Sequence, residues 1–387
     1  MNRPIKIVLG ISALVALWTL NLAFEVFPRV SAEQKHAIAV LSKPALLGQR
    51  NGWSAVLELA GHPEFGGQLG ETCDANDDCL TRVAAELPAM QQRARDAAPM
   101  IALQKTLYRF DHFAMQDIPN LLEAIFSALT FGELLTAITT QAVGGEPQAA
   151  VHELCEFAQF SRSMTRTNSL LMLLLGETYL SRSISLMAEL QSHYRVVLDT
   201  QCLQAFTPLC DIDHQFCEAV KGEFMFYRQL INGFELGHAP SYLPQRSKTG
   251  AWLYGVGLNA THTKALFAGK FMPFCAEVPV QNPGRYCNWV EYASNPIGCN
   301  LFQESQENQE NIEVFRNRLH DLQQKLALFR LSQFARSTGA QACAERLDCG
   351  PEGALAGLIH DSSQGTISIA LLQPRADQAK LWTLTLR

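Results

Sequence analysis

The run "SLLMLLLGETYLSRSISLMAELQSHYRVVLDT", residues 169–200, repeats its large residues at steps of four and three: Leu173, Glu177, Leu180, Ile184, Met187, Gln191, Tyr194, Leu198. That spacing puts them on one face of a long helix. It predicts a helix from about 169 to 200 and points to a mainly α fold. Glu177 is the exception on this otherwise apolar face. A buried carboxylate is either paired or has a raised pKa. Two readings follow: a structural pair with a nearby arginine, Arg166 or Arg182, or a functional acid.

The same periodicity extends outward. "DIPNLLEAIFSALTFGELL", residues 117–135, opens with Asp117 as N-cap and Pro119 in the first turn, then spaces Leu121, Leu122, Ile125 and Leu129 as a helix, with Glu123 pointing away. "VGGEP" at 143–147 breaks the pattern, and a further helix runs through Phe160. Residues 33–60 read as a short helix followed by a "GQRNGW" turn. Residues 308–336 carry Ile312, Phe315, Leu319, Leu322, Leu326 and Phe329 on one stripe, with Asp321 and Lys325 as an i,i+4 pair on the exposed side. The stripe is too short for a coiled coil and predicts packing within the chain. Residues 236–300 lose periodicity. "TISIALL" and "KLWTLTL" alternate around a polar turn and predict a β-hairpin. The expected organisation is an N-terminal anchor (1–24), a helical domain (33–235), a loop-rich aromatic and cysteine segment (236–307), and a long helix plus hairpin (308–387) packed on the helical domain.

The anchor rests on "IVLGISALVALWTLNLAF", residues 7–24, which is uncharged over 18 positions and preceded by Arg3 and Lys6. It is long enough to span a bilayer, and the preceding charges favour a cytoplasmic N-terminus. Val30-Ser31-Ala32 offers a competing reading as a signal-peptidase site. Either way the body is exported, to the periplasm. The net charge of −6 and the absence of a basic cluster argue against a nucleic-acid partner.

Export gives the eleven cysteines an oxidising compartment. No CxxC occurs, so thiolates do not come at zinc-site spacing. Cys275, Cys287 and Cys299 stand twelve apart within "CAEVPVQNPGRYCNWVEYASNPIGC". Expected disulfides are Cys73 with Cys79, Cys343 with Cys349, and Cys275 with Cys287 across the Asn-Pro-Gly turn. The odd count leaves a thiol over, and Cys155, alone in a helical stretch, is expected buried and free.

Catalytic motifs fail on inspection. "HELCE" at 152–156 has Glu156 where a zinc protease needs its second histidine. "SKTG" at 247–250 has no upstream SxxK, and "GVGLNA" at 255–260 fits a relaxed dinucleotide fingerprint without βαβ alternation around it. No catalytic residue, metal site or cofactor is therefore assigned. Six of the thirteen Trp and Tyr residues (5 Trp, 8 Tyr) lie within 242–292: Tyr242, Trp252, Tyr254, Tyr286, Trp289 and Tyr292. Amphipathic rings among loops suit recognition of a peptide or glycan. The competing reading is a satellite core.

Three segments, "YGVGLNATHTKALF", "NPIGCNL" and the final "HDSSQGTISIALL…KLWTLTL", together with the layout, resemble a group of uncharacterised Gram-negative envelope proteins. The last segment is similar to a degenerate D-P-x-[ST]-G turn and hairpin, with Ser362 and Gln364 replacing the Pro and Ser/Thr. The resemblance covers the last third of the chain. It implies location and architecture, and it implies no activity. The expected function is a membrane-anchored periplasmic binding or assembly factor of the cell envelope, whose partner is an envelope protein, peptide or glycan. The alternative is a hydrolase of envelope polymers.

Overall fold

Helix-forming periodicity becomes structure where capping residues and apolar neighbours both support it. The computed structural model describes residues 30–43, 50–65, 79–115, 125, 127–209, 211–235, 258–275, 287, 291–292, 295–306, 309–338, 359–361, 366–373 and 381–385. The fold is mainly α, with a short antiparallel sheet near the C-terminus. The helices are α1 (Ala32–Leu41), α2 (Trp53–Ala60), α3 (Cys79–Ala85), α4 (Leu87–Lys105), α5 (Gly132–Val143) and α6 (Pro147–Met164). They continue with α7 (Leu170–His193), α8 (Thr200–Ala205), α9 (Ile212–Glu235), α10 (Ala260–Phe271), α11 (Pro296–Gln306) and α12 (Gln309–Thr338). The strands are β1 (Ile359–Asp361), β2 (Thr366–Ala370) and β3 (Leu381–Thr385). Two compact units result: Met1–Pro44 with Glu223–Glu310, and Ala45–Gly222 with Asn311–Arg387.

The larger unit is built around α7. Leu173, Glu177, Leu180, Ile184 and Met187 are all buried, as the stripe requires. α6 packs along α7, and Gly176 sets the closeness of the pair. A Cβ there would lie 2.9 Å from both Ser161 O and Thr165 N. α7 is also the one described helix long and apolar enough to cross a membrane. With 67% of that window buried, it reads as a core helix. It stops at His193, short of 200, because Tyr194 turns extended and Asp199 caps α8, accepting from Cys202 N at 2.7 Å.

The helix expected through 117–135 is broken at Thr130–Phe131, before α5 begins. Buried side chains serve the backbone groups freed by the break. Gln104 Nε2 donates to Ala128 O (3.1 Å) and Thr130 O (2.9 Å); Tyr179 Oη donates to Leu129 O (3.0 Å). Phe131 then turns into an aromatic cluster, its ring 5.4 Å from Phe157 and 5.2 Å from Tyr179. Buried Glu133 forms a fork with Arg93, whose Nε lies 3.0 and 2.8 Å from the two oxygens.

β2 is central in the sheet. It pairs antiparallel with β3 in the register Ile369↔Trp382, as the hairpin reading expects, and with the additional strand β1 in the register His360↔Ile367. Ile367, Ile369 and Leu384 are buried.

In the smaller unit α10 packs against α1 and α11. Tyr227 of α9 stacks on Phe267 of α10 at 4.3 Å, and Phe302 of α11 meets Phe267 edge-on at 5.7 Å. The stretch 236–300 was expected to be irregular, yet it contains α10 and the start of α11. The residues that suggest loop stand at helix starts: Asn259 is the N-cap of α10, and Pro296 opens α11.

Candidate functional site

The smaller unit gathers polar side chains between α10 and the start of α11. Asn259 Oδ1 caps α10, accepting from His262 N at 3.0 Å. Asn295 ties the chain before α11 to the same turn. Its Oδ1 accepts from Asn259 N at 2.8 Å, and its Nδ2 donates to Thr263 Oγ1 at 2.9 Å. Gly298 makes this approach possible, because a Cβ there would collide with the side chains of Thr263 and Asn295. His262 and Glu291 are both buried and face one another, with Nε2 to Oε1 at 3.9 Å. Among the described residues neither ring nitrogen of His262 has a hydrogen-bond partner. Burial pushes its pKa below the ordinary histidine value, and the Glu291 charge pulls it back up.

Two turns along α10, Lys270 is buried and its Nζ donates to Ser305 O. Burial lowers its pKa to about 8, and Glu223 opposes the shift. A histidine–carboxylate pair and an amine titrating near neutrality are groups that acid–base chemistry uses. Here both are packed inside the unit.

A second polar group lies inside the larger unit. Glu177 and Ser181 of α7 face Asp321 and Lys325 of α12, and all are buried. Lys325 Nζ donates to Ser181 Oγ at 3.0 Å. Asp321 accepts from Leu372 N (2.6 Å) and Gln373 N (2.7 Å), the residues leaving β2. Burial pushes the Asp321 carboxyl up; its two N–H donors and Lys325 pull it down, and Glu177 pushes it up again. Asp321 and Lys325 were expected on the exposed side of their helix. They are buried because α12 is covered on more than one side: Leu322, Leu326, Ala327, Leu328, Phe329 and Leu331 are buried too. Glu177 Oε2 accepts a hydrogen bond from Thr178 Oγ1 at 3.4 Å.

The disulfides differ from expectation in two places. Cys155 is bonded to Cys202, because α8 lies against α6 and brings that thiol to the helix. Cys287 is bonded to Cys299 in place of Cys275, with Cα atoms 5.9 Å apart; the chain entering α11 carries Cys299 back to it. Cys275 is in a disulfide as well. So is Cys79, whereas its expected partner Cys73 lies outside the described residues, as do Cys343 and Cys349.

Of the six expected binding aromatics, Tyr292 is described. It is 38% exposed, and its hydroxyl donates to Asn300 Oδ1. Tyr242, Trp252, Tyr254, Tyr286 and Trp289 lie outside the described residues, as does the expected anchor 1–24. The burial of His262, Lys270, Asp321 and Lys325 gave no sequence signal, since a helix repeat does not record what packs against it. Among the described residues no group of three or more His, Cys, Asp or Glu is placed to hold a metal ion.

No family model, no curated protein and no solved structure matches this chain. The function is therefore argued from the chemistry of its residues.

Proposed function

We propose that the chain is a membrane-tethered protein of the periplasm that serves as a binding or assembly factor of the cell envelope. One observation carries the compartment. Every cysteine among the described residues (Cys79, Cys155, Cys202, Cys217, Cys275, Cys287 and Cys299) is in a disulfide. Such pairing persists where thiols are oxidised, outside the reducing cytoplasm. The uncharged run 7–24 supplies the tether, and its preceding charges favour an exported body.

Binding is supported by the aromatic-rich segment 242–292, in which Tyr292 is exposed. Exposed aromatic anchors often contribute more than about 1 kcal/mol each at an interface. Hydrolysis is the second reading, and the neighbouring carboxylates Glu177 and Asp321 favour it. Against it, both are buried, and Asp321 is already engaged by two backbone N–H groups.

The test replaces Trp289 and Tyr292 with alanine in the full-length chain. The expected result is an unchanged melting temperature with loss of cross-linking to an envelope partner. A variant that melts well below the parent assigns the pair to a core and removes the binding reading. Release of fragments from purified envelope polymer by the parent, abolished in a folded Glu177→Gln variant, would establish the hydrolase instead.

A further inference from the structure

We propose that α1 lies on the membrane surface, with the side turned away from α10 set against anionic lipid headgroups. This placement rests on reading residues 7–24 as a membrane tether. Three features carry it: where the tether ends, which face of α1 is free, and what charge that face bears.

The uncharged run ends at Phe24, and the N-cap of α1 is Ser31. The chain between those two residues reaches at most about 25 Å when fully extended. α1 begins at once, closed by a reciprocal cap: Ser31 Oγ accepts from Gln34 N at 3.1 Å, and Ser31 N donates to Gln34 Oε1 at 2.9 Å. Ala37 and Leu41 are buried, and α1 packs against α10, so a docked α1 carries α10 behind it.

Each helical residue turns about 100° from the last, which puts Ala32, Lys35, His36 and Ala39 within one arc of about 100° opposite Ala37 and Leu41. All four are exposed, as is Lys43 just past the helix. Neither lysine has an ion-pair partner among the described residues. Glu33, the acid of the first turn, falls about 110° from the centre of the arc. The free face therefore offers small residues that allow close approach and lysines that suit phosphate. No net repulsion opposes it: residues 25–44 and 223–310 of this unit hold nine Lys and Arg against nine Glu, so the chain's net charge of −6 is carried elsewhere.

A lysine near an anionic surface gains about fivefold in the docking equilibrium, which is weak by itself. A short tether makes docking intramolecular, at an effective concentration in the millimolar range, and so weak attraction suffices to populate it.

The test places the full-length chain in phosphatidylcholine vesicles with or without phosphatidylglycerol. A fluorescent amino acid replaces Ala39, a nitroxide on the lipid headgroups quenches it on contact, and flotation reports whether the chain is in the vesicle. Strong quenching is expected when phosphatidylglycerol is present. Lys35→Gln combined with Lys43→Gln should lower the docked-to-undocked ratio about 25-fold, at about fivefold for each lysine. Both side chains are exposed, so the double variant keeps the fold. Added salt should act in the same direction. Quenching that is equal without the anionic lipid, or equal in the double variant, overturns the docking while a floating chain upholds the tether. A chain that does not float with the vesicles overturns the tether reading and the docking with it.

Discussion

Asp321 is a carboxylate whose environment argues with itself. Two N–H donors and Lys325 favour its charge, while burial and Glu177 oppose it, and the net result is a raised pKa. The folded chain therefore holds a proton at Asp321 more readily than the unfolded chain. Its stabilising contribution is full below the unfolded value of about 3.9 and declines as pH rises through the raised folded value. The parent should lose stability relative to Asp321→Asn as pH rises above about 4, read as the difference in melting temperature across a pH series. A constant difference would show that the carboxyl is not shifted. Lys325 is the other half of this balance. Lys325→Met removes the buried cation that favours the charged form of Asp321, and a cost of about 3–5 kcal/mol is expected in denaturant unfolding. Glu177 was legible in the sequence because it interrupts an apolar stripe. Asp321 and Lys325 were not, because an i,i+4 pair looks the same on a wet face and a dry one.

At the scale of elements, the α6–α7 pair is set by a backbone approach that one side chain decides. Gly176→Ala puts a methyl 2.9 Å from Ser161 O and Thr165 N, neither of which can rotate away. Separating the helices should cost about 1–3 kcal/mol, seen as a lower urea midpoint. α6 is fastened on another side by Cys155–Cys202, which spans 47 residues. In the chain-entropy model closing such a loop contributes about 4 kcal/mol, so the double replacement with alanine should lower unfolding stability by about that amount. Non-reducing peptide mapping should return the linked pairs Cys155–Cys202 and Cys287–Cys299, and free alkylation of all thiols without reductant would refute both. The helices themselves were readable, α7 and α12 above all. The break at Thr130–Phe131 was not, because the groups that accommodate it are Gln104 and Tyr179, distant in sequence.

For the whole molecule, the proposed topology places residues 25–387 outside the cytoplasm and still attached to the membrane. Fractionation should recover the chain with the inner membrane, and protease added to spheroplasts should digest the body. A soluble periplasmic species beginning at Glu33 would show instead that the N-terminal run is cleaved. The two compact units do not follow the order of the chain. α9 and α12 each have residues in both, so residues 45–222 share a unit with 311–387 rather than with their neighbours 223–310. No local composition change marks Gly222 as a boundary, whereas Glu310 lies close to the boundary expected at 307–308.

The sequence by itself determined the mainly helical character, the buried apolar stripes of α7 and α12, the β2–β3 hairpin and the interruption at Gly144–Gly145. Each is a property of residues within a few positions of one another, where backbone geometry converts spacing directly into a face or a turn. Tertiary structure alone decided which cysteines met, that Asp321 and Lys325 went inside, that β1 joined the sheet, and that His262 came to face Glu291. Those outcomes depend on contacts across 47 residues for Cys155 and Cys202 and 29 for His262 and Glu291. Burial is a property of what packs against a face, and a helix repeat carries no record of its neighbour.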